Sequence, residues 1–422
     1  MLSGNAVHAA GRERIHLLDT LRGAALLAIL LIHCVEHFSL FVFPAPGEPG
    51  ALPTDGIITH ATFLLFFGKA HGIFAFLFGV SYHIQFRNNL RKGIAHRSRM
   101  ARRMAWLFVF GIVHGMFYPG DILCLLALFG YGLLAIGGAS TRWLLTIAIL
   151  MAIQPMLIAE ILSGSEIHSY GERNWERLIG SLRNDGFFQL LWNNTIQNRL
   201  IEWSLGLSSG RIFHLGAWML LGIAAMRAGM FDRERNWSVF HSAVLVVAGV
   251  VYAILAVWNE DPAMADLAAR YKEMLLVAMY ISGALLLARW WNLLNVPSML
   301  SKYGGMSLTN YVGQGVLGSL LFYGFGASFY QLGATLSLLP AVIMFGSQIA
   351  FTWWWSRRSS RGPLERIWAD LAGSGDAIRI ARPGSEKVRP RSAEMRKAAV
   401  ASRFPSYRRR DSNPHNLSVT RP

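Results

Sequence analysis

An all-α membrane helix bundle is the fold class this sequence predicts, and three observations predict it. Of its 422 residues, 53% are apolar and only 15% charged, where a soluble domain carries about 25% charged residues to cover its surface. Apolar runs long enough to cross a bilayer as helix recur along the chain. Lys and Arg gather in alternate connections, the pattern that orients helices in a membrane.

Ten spans are expected, near 20–43, 57–86, 104–119, 122–138, 143–160, 212–230, 243–258, 274–291, 306–327 and 336–355. The first is carried by HLLDTLRGAALLAILLIHCVEHFSLFVF. The second is long enough to tilt. The third to fifth are tightly joined and should pack as antiparallel neighbours. The remaining five are joined by connections in which basic loops alternate with acid-bearing or uncharged ones.

Orientation follows from charge. Residues 87–103 hold seven Lys/Arg and no acid, whereas 44–56 hold Glu48 and Asp55 and no base. The basic connection belongs in the cytoplasm, which puts both termini there and the long loop 161–211 outside. The inner connections then carry Arg142, Arg233 with Arg235, Lys302, and Arg357 with Arg358. Within 161–211, Trp175, Leu178, Ile179 and Leu182 follow helical spacing, and Ile196, Leu200 and Trp203 repeat a similar stripe. Such stripes suit an interfacial anchor, with a lid over an outward cavity as the second reading.

The expected division is a cytoplasmic segment 1–13, a transmembrane domain 14–372, and a basic, disordered cytoplasmic tail 373–422. Residues 371–422 carry 12 Lys/Arg against 4 Asp/Glu, half of the net charge of +16. That charge points to anionic lipid and not to nucleic acid. No cleavable signal peptide is evident. The two cysteines, Cys34 and Cys124, both lie in apolar segments, so no disulfide framework or cysteine metal site is expected.

The candidate chemistry begins in the first span. With His33 at zero and an advance of about 100° per residue, Arg22 lies about 20° to one side, Asp19 and His37 about 40° to the other, and Glu36 about 60° away. Ionisable groups on one face of a membrane helix mark a site by default. Imidazole exchanges protons near neutrality, so His33 is the candidate general base, with a packing role as the alternative. Asp19, roughly 21 Å away by helical rise, and Arg22 read first as an ion pair at the inner mouth.

A second cluster, FFGKAHGIFAFLFGVSYHIQ, contributes Lys69 and His71, with Ser81, His83 and Gln85 further along. Lys69 is expected to pair with Glu36 or bind an anion. A third, FGIVHGMFYPGDILCLLALFGYG, contributes His114 and Asp121. Asp121 reads as a helix cap, or as the acid that holds a histidine in one tautomer. Gly68 with Gly72, and Gly111 with Gly115, form GxxxG pairs that allow close helix approach. No metal site is expected, since no HExxH accompanies His33 and His37. A P-loop and a GxSxG elbow are also missing, which leaves ATP-driven work and serine hydrolysis without support.

Three blocks together resemble the bacterial YeiB-like membrane family, known as domain of unknown function 418. They are RIHLLDTLRGAALLAILLIH; then GKAHGIFAFLFGVSYHIQ with RRMAWLFVFGIVHGMFYPGDIL; then KYGGMSLTNYVGQ, followed by FYGFG and RGPLERIWADL. The first block is also similar to acyltransferase family 3 and to heparan-glucosaminide acetyltransferase-like proteins, through Asp19, Arg22 and a histidine fourteen residues after the Asp. YeiB-like proteins commonly carry Asn where His33 stands.

The resemblance implies a multi-pass protein of the bacterial cytoplasmic (inner) membrane, with no tightly bound cofactor and acyl-CoA as co-substrate. It would pass an acyl group to a membrane or extracytoplasmic acceptor. His33 and Glu36 are the implied catalytic pair. Asp19, Arg22, Lys69, His71, His114, Asp121, Asn310 and Gln314 are the candidate donor- or substrate-binding residues of this sequence, and the resemblance does not carry over a full active site. A transporter of a small solute, or a non-catalytic membrane component, is the competing class.

Overall fold

The structure is a computed structural model that describes residues 2–41, 51–91, 96–136, 138–155, 158, 169–232, 235–257, 262–290 and 298–380. All regular structure among them is helical. The chain divides into two units, 1–375 and 376–422. Most of the expected tail, with Gly93 and residues 161–168 of the long loop, lies outside the described residues.

In chain order the helices are α1 (Leu2–Ile32), extended by a π-helical turn His33–His37; α2 (Asp55–Phe66); α3 (Lys69–Arg91); α4 (His96–Phe117); α5 (Leu123–Ile136) and α6 (Thr141–Ala152). Four short helices follow: α7 (Tyr170–Arg173), α8 (Trp175–Asn184), α9 (Phe187–Thr195) and α10 (Gln197–Ser208). Then come α11 (Arg211–Ala228), α12 (Ser238–Val257), α13 (Pro262–Trp290), α14 (Ser298–Gly305), α15 (Ser307–Phe322), α16 (Ala334–Ser356) and α17 (Pro363–Ile380).

Five helical stretches are long and apolar enough to cross a membrane: 16–37, 55–90, 238–257, 267–288 and 334–356. α10 and α11 make a sixth if their 71° bend at Ser209–Gly210 lies within one span. Of the other expected spans, one maps onto α4, whose 22 residues begin with a basic half, and the rest onto shorter helices. α5 has 14 residues and α6 has 12, where a full crossing takes about 20.

The expected second span is one path with a break. Gly68 has φ +72°, a left-handed conformation that separates α2 from α3, and glycine adopts it without a Cβ penalty. Gly68 therefore serves the break and not a helix contact.

The close helix crossings use other glycines. α3 packs on α11 where Gly79 lies against the Met219 carbonyl and Gly222 against the Phe76 carbonyl. α1 packs on α14 where Gly23 meets the Leu300 carbonyl and Gly304 meets the Asp19 carbonyl. A Cβ at any of these four would collide with backbone, which cannot give way as a side chain can.

α12 and α13 pack on each other and keep apolar outer faces, with Val239, Val246 and Ile254 exposed, as lipid contact allows. The first loop stripe turns inward. Leu178, Ile179 and Leu182 of α8 are buried in a cluster with Phe38, Tyr118 and Tyr323, so this stripe caps the bundle. The expected anchor is corrected there because the partners on α15 and the π turn are apolar and within reach. Ile196 and Leu200 of the second stripe stay exposed, as do Phe188 and Trp192.

α17 closes the other end. Glu365 accepts hydrogen bonds from the Leu308 N–H at 2.7 Å, the Thr309 N–H at 3.1 Å and the Thr309 hydroxyl, and so caps the first turn of α15. Burial lifts the Glu365 carboxyl above the usual carboxylate range, against the pull of those donors. Trp368 Nε1 donates to the Arg103 carbonyl at 2.8 Å, with the Arg103 guanidinium 3.8 Å from its ring centre. Arg102 donates to the Ala372 carbonyl at 3.0 Å. Part of the basic stretch 87–103 thus docks α17.

Candidate functional site

The helix carrying His33 does not stay α-helical. From His33 to His37 it widens into a π turn, with the Phe38 N–H on the His33 carbonyl at 2.7 Å and the Phe41 N–H on the Glu36 carbonyl at 3.0 Å. Ser39 steadies it, donating to the Cys34 carbonyl at 2.6 Å and lying 3.2 Å from Ser337 of α16. Leu40 and Phe41 then take positive φ values of 53° and 55°, uncommon for residues with a bulky side chain. Single π turns inside α-helices are frequent at functional sites.

The turn places His33 inside a ring of aromatic and imidazole groups. Its ring centre is 4.8 Å from Tyr118 and 5.6 Å from each of His37, His71 and Phe38. His33 Nε2 lies 3.3 Å from the Tyr118 hydroxyl, and the residue is 2% exposed.

Glu36 does not orient His33. Its carboxylate lies 3.2 Å from His37 Nδ1, an atom that nonetheless makes no well-directed hydrogen bond. The widened turn changes the angular register after residue 33, which is why the straight-helix reading paired Glu36 with the wrong imidazole.

His114 and Asp121 are joined. His114 Nδ1 is 2.8 Å from Asp121 Oδ1, and the other carboxylate oxygen accepts the Cys124 N–H at 3.0 Å. Asp121 is both the cap of α5 and the partner of a histidine, two roles the sequence posed as alternatives. His114 Nε2 has no hydrogen-bond partner and abuts Gly315. The His114 ring lies 4.7 Å from Tyr311, whose hydroxyl accepts the Ile122 N–H at 3.5 Å.

Two cavities flank this layer. One, of about 40 Å³, is lined by His37, His71, Tyr118, Asp121, Glu202 and Arg211 among others, and has room for a few waters. The other, of about 180 Å³, runs from Arg22, Gln85 and Glu365 to Tyr311 and Leu123. Tyr311 stands at the second cavity and touches His114, which pairs with Asp121 of the first.

The remaining candidates are dispersed. Asp19 and Arg22 form the expected ion pair, and Arg22 also donates to Ser81. Lys69 does not meet Glu36; it donates to the Phe63 carbonyl at 3.1 Å and feels the charge of Glu273. The Gly68 break sets that position. Asn310 and Gln314 lie apart from the histidines, in a knot with Tyr303, Gln348 and Thr352.

Gly111 brings the backbones of α4 and α5 together as expected, since a Cβ there would lie 2.6 Å from the Cys124 backbone nitrogen, whereas Gly115 faces a side chain. The Arg199 guanidinium fills their notch, donating to the Gly111 and Ile112 carbonyls at 3.3 and 2.9 Å and to Cys124 Sγ at 3.1 Å. Sequence reasoning missed Tyr118, Arg199, Glu202, Arg211 and Tyr311 as site residues. Arg199 and Glu202 sit in the segment read as an outer loop. Their charge beside Trp203 at helical spacing was the available signal.

Comparison with known proteins places part of this chain. Residues 225–374 match the family described as "Protein of unknown function (DUF418)". The chain is 27% identical over 407 residues to the uncharacterized protein YeiB of Escherichia coli (strain K12), covering 89% of this chain and 99% of that one. It is 25% identical over 383 residues to the uncharacterized protein YxaH of Bacillus subtilis (strain 168), covering 84% and 93%. The 225–374 match holds the hydrogen-bonded knot and Glu365, while His33, His71 and His114 lie outside it. The chain is thus similar to the DUF418 family over residues 225–374 and, over most of its length, to YeiB and YxaH.

Proposed function

We propose that this chain is a multi-pass membrane acyltransferase of the bacterial cytoplasmic membrane, taking an acyl group from cytoplasmic acyl-CoA. Ten membrane-crossing segments with both termini in the cytoplasm complete the reading; the shorter helices complete their crossings within the bundle. Anionic lipid attracts its basic segments.

The observation that carries the reading is the placement of His33: buried, beside Tyr118, in a histidine layer whose His37 and His71 line the small polar cavity and whose His114 touches Tyr311 of the larger one. His33 acts as general base. It takes the proton of an acceptor hydroxyl or amine as that atom attacks the thioester carbonyl. The new C–O or C–N bond forms, the C–S bond breaks, and the CoA thiolate leaves and regains the proton. Tyr118 stands within reach of His33 Nε2 and holds the ring in place.

The test uses inverted membrane vesicles containing the full chain, supplied with acyl-CoA labelled in the acyl group. Label should move to lipid or lumenal material, and His33→Asn should abolish the transfer in folded protein. Transfer at the wild-type rate by H33N overturns the role of His33.

A small-solute transporter is the second reading. It is favoured by the buried Glu36 and the partly buried Glu202, Arg211, Arg270 and Glu273, which interact near the bent α10–α11 pair. Neither binding nor transfer of acyl-CoA by the purified protein would decide for it.

A further inference from the structure

The larger cavity has a shape and a chemistry that point to one class of ligand. Its walls on α3 reach from Phe74 to Gln85, eleven residues and therefore about 16 Å by helical rise. It is long and narrow. Its 180 Å³ corresponds to roughly a dozen water molecules, far more than a single ion or small polar solute needs.

The long wall is apolar: Phe74, Met100, Met104, Leu107, Leu123 and Leu126. A column of water there would find almost no partners, and cavities of that kind favour apolar occupants. Polar groups enter at Arg22, Ser81, Tyr82, Gln85, Ser307 and Glu365, the last engaged by the Leu308 and Thr309 N–H groups and the Thr309 hydroxyl. Arg22 is held by Asp19 and Ser81.

Tyr82 is the odd group. It is 4% exposed, lines the cavity, and its hydroxyl has no hydrogen-bond partner. A buried hydroxyl left unpaired costs about 1–3 kcal/mol, so a donor maintained there fits a ligand oxygen that accepts from it.

We propose that this cavity binds a medium-length acyl chain whose oxygen-bearing head lies by Arg22 and Tyr82 and whose tail lies along α4 and α5. In the acyltransfer reading, on which the identification of a physiological donor rests, the chain belongs to a CoA thioester held at a docking position, since Arg22 stands eleven residues and about 16 Å by helical rise from His33 and the thioester must advance before transfer. A free fatty acid offers the same chemistry, and the experiment separates the two. The tail end abuts Tyr311, so occupancy is felt at the His114 ring 4.7 Å beyond it.

The experiment takes the full chain in lipid nanodiscs with decanoic acid carrying a terminal photoreactive diazirine, and maps the adducts by mass spectrometry. Adducts should concentrate on residues 100–107 and 123–126. Tyr82→Phe should weaken labelling several-fold without unfolding the protein, and Met104→Phe, which fills the cavity, should suppress it. Competition by unlabelled decanoyl-CoA at lower concentration than decanoic acid identifies the thioester as the ligand; the reverse order identifies the free acid.

Adducts confined to the exposed apolar face of α12, around Val246 and Ile254, would mean that only bulk lipid is sampled, and would overturn the proposal. The same holds if Y82F and M104F label like the wild type. His33→Asn leaves this labelling intact, so loss of transfer in that variant and loss of labelling in the cavity variants are independent failures.

Discussion

Two buried polar clusters share helix α15 and differ in one respect. On one face, Asn310 and Gln314 join Tyr303, Gln348 and Thr352. The Tyr303 hydroxyl donates to Gln348 Oε1 at 2.8 Å, Gln314 Nε2 donates to the Tyr303 hydroxyl at 2.9 Å, and Gln348 Nε2 donates to the Asn310 carbonyl at 2.8 Å. Only Gln314 Oε1 is left over, and these residues line neither cavity described above.

On another face, Tyr311 leads to the histidine layer. There His114 Nε2, His37 Nδ1 and the nearby Trp203 Nε1 lack partners, and cavities open on both sides. Buried polar groups that are satisfied specify a fold, and those left open beside a cavity have a capacity to spare. The first cluster reads as a bolt between α14, α15 and α16, the second as a place where protons and ligands are handled.

The largest expected effect falls on the open cluster. His33→Asn and His33→Ala should each lower acyl transfer by about 10²–10⁴-fold, the range of a lost general base, with a melting temperature near that of the wild type. If His33→Asn unfolds the protein as readily as a change in the knot does, the distinction between the clusters collapses.

The knot should respond in the opposite currency. Gln348→Ala removes the acceptor of the Tyr303 O–H and a donor to the Asn310 carbonyl, at about 0.5–1.5 kcal/mol for each lost hydrogen bond. Thermal denaturation should show that loss, while transfer per folded molecule stays within about twofold.

Gly79→Ala serves as a control that touches neither cluster. Its Cβ meets the Met219 carbonyl where α3 crosses α11, and overpacking of this kind costs about 1–3 kcal/mol. Stability should fall while the cavity labelling pattern is kept; a changed pattern would tie the α3–α11 crossing to the site.

The smallest effect is expected from the tail. Truncation after Ser374 should change stability by less than about 0.5 kcal/mol, as surface changes do, because both clusters are complete without it. Reporter fusions after Ser169 and after Gly373 should report opposite sides of the membrane, and the same side for both would overturn the proposed topology.

Much of the bundle was legible in advance, and so was part of the site. Helical spacing alone gathered Asp19, Arg22, His33, Glu36 and His37 on one face, and all five side chains lie against a polar neighbour in the structure. The glycines were legible as close-approach signals but not as to what approaches: Gly68 breaks a span, and the Gly111–Gly115 notch takes Arg199. A sequence pattern records the space a small residue leaves and not the group that enters it.

Composition and periodicity by themselves determined that this chain is helical and apolar and which faces its helices bury, because hydrophobic burial and backbone hydrogen bonding act within a few residues. Tertiary structure alone decided which buried polar groups are satisfied. Gln348 and His114 are equally polar in the sequence, yet both amide ends of Gln348 are met, by Tyr303 and by the Asn310 carbonyl, and His114 keeps a free nitrogen against Gly315. The π turn at His33 belongs to the same class. Its widening is held by Ser39 and by Ser337 nearly three hundred residues away, and a contact of that range leaves no mark in local spacing.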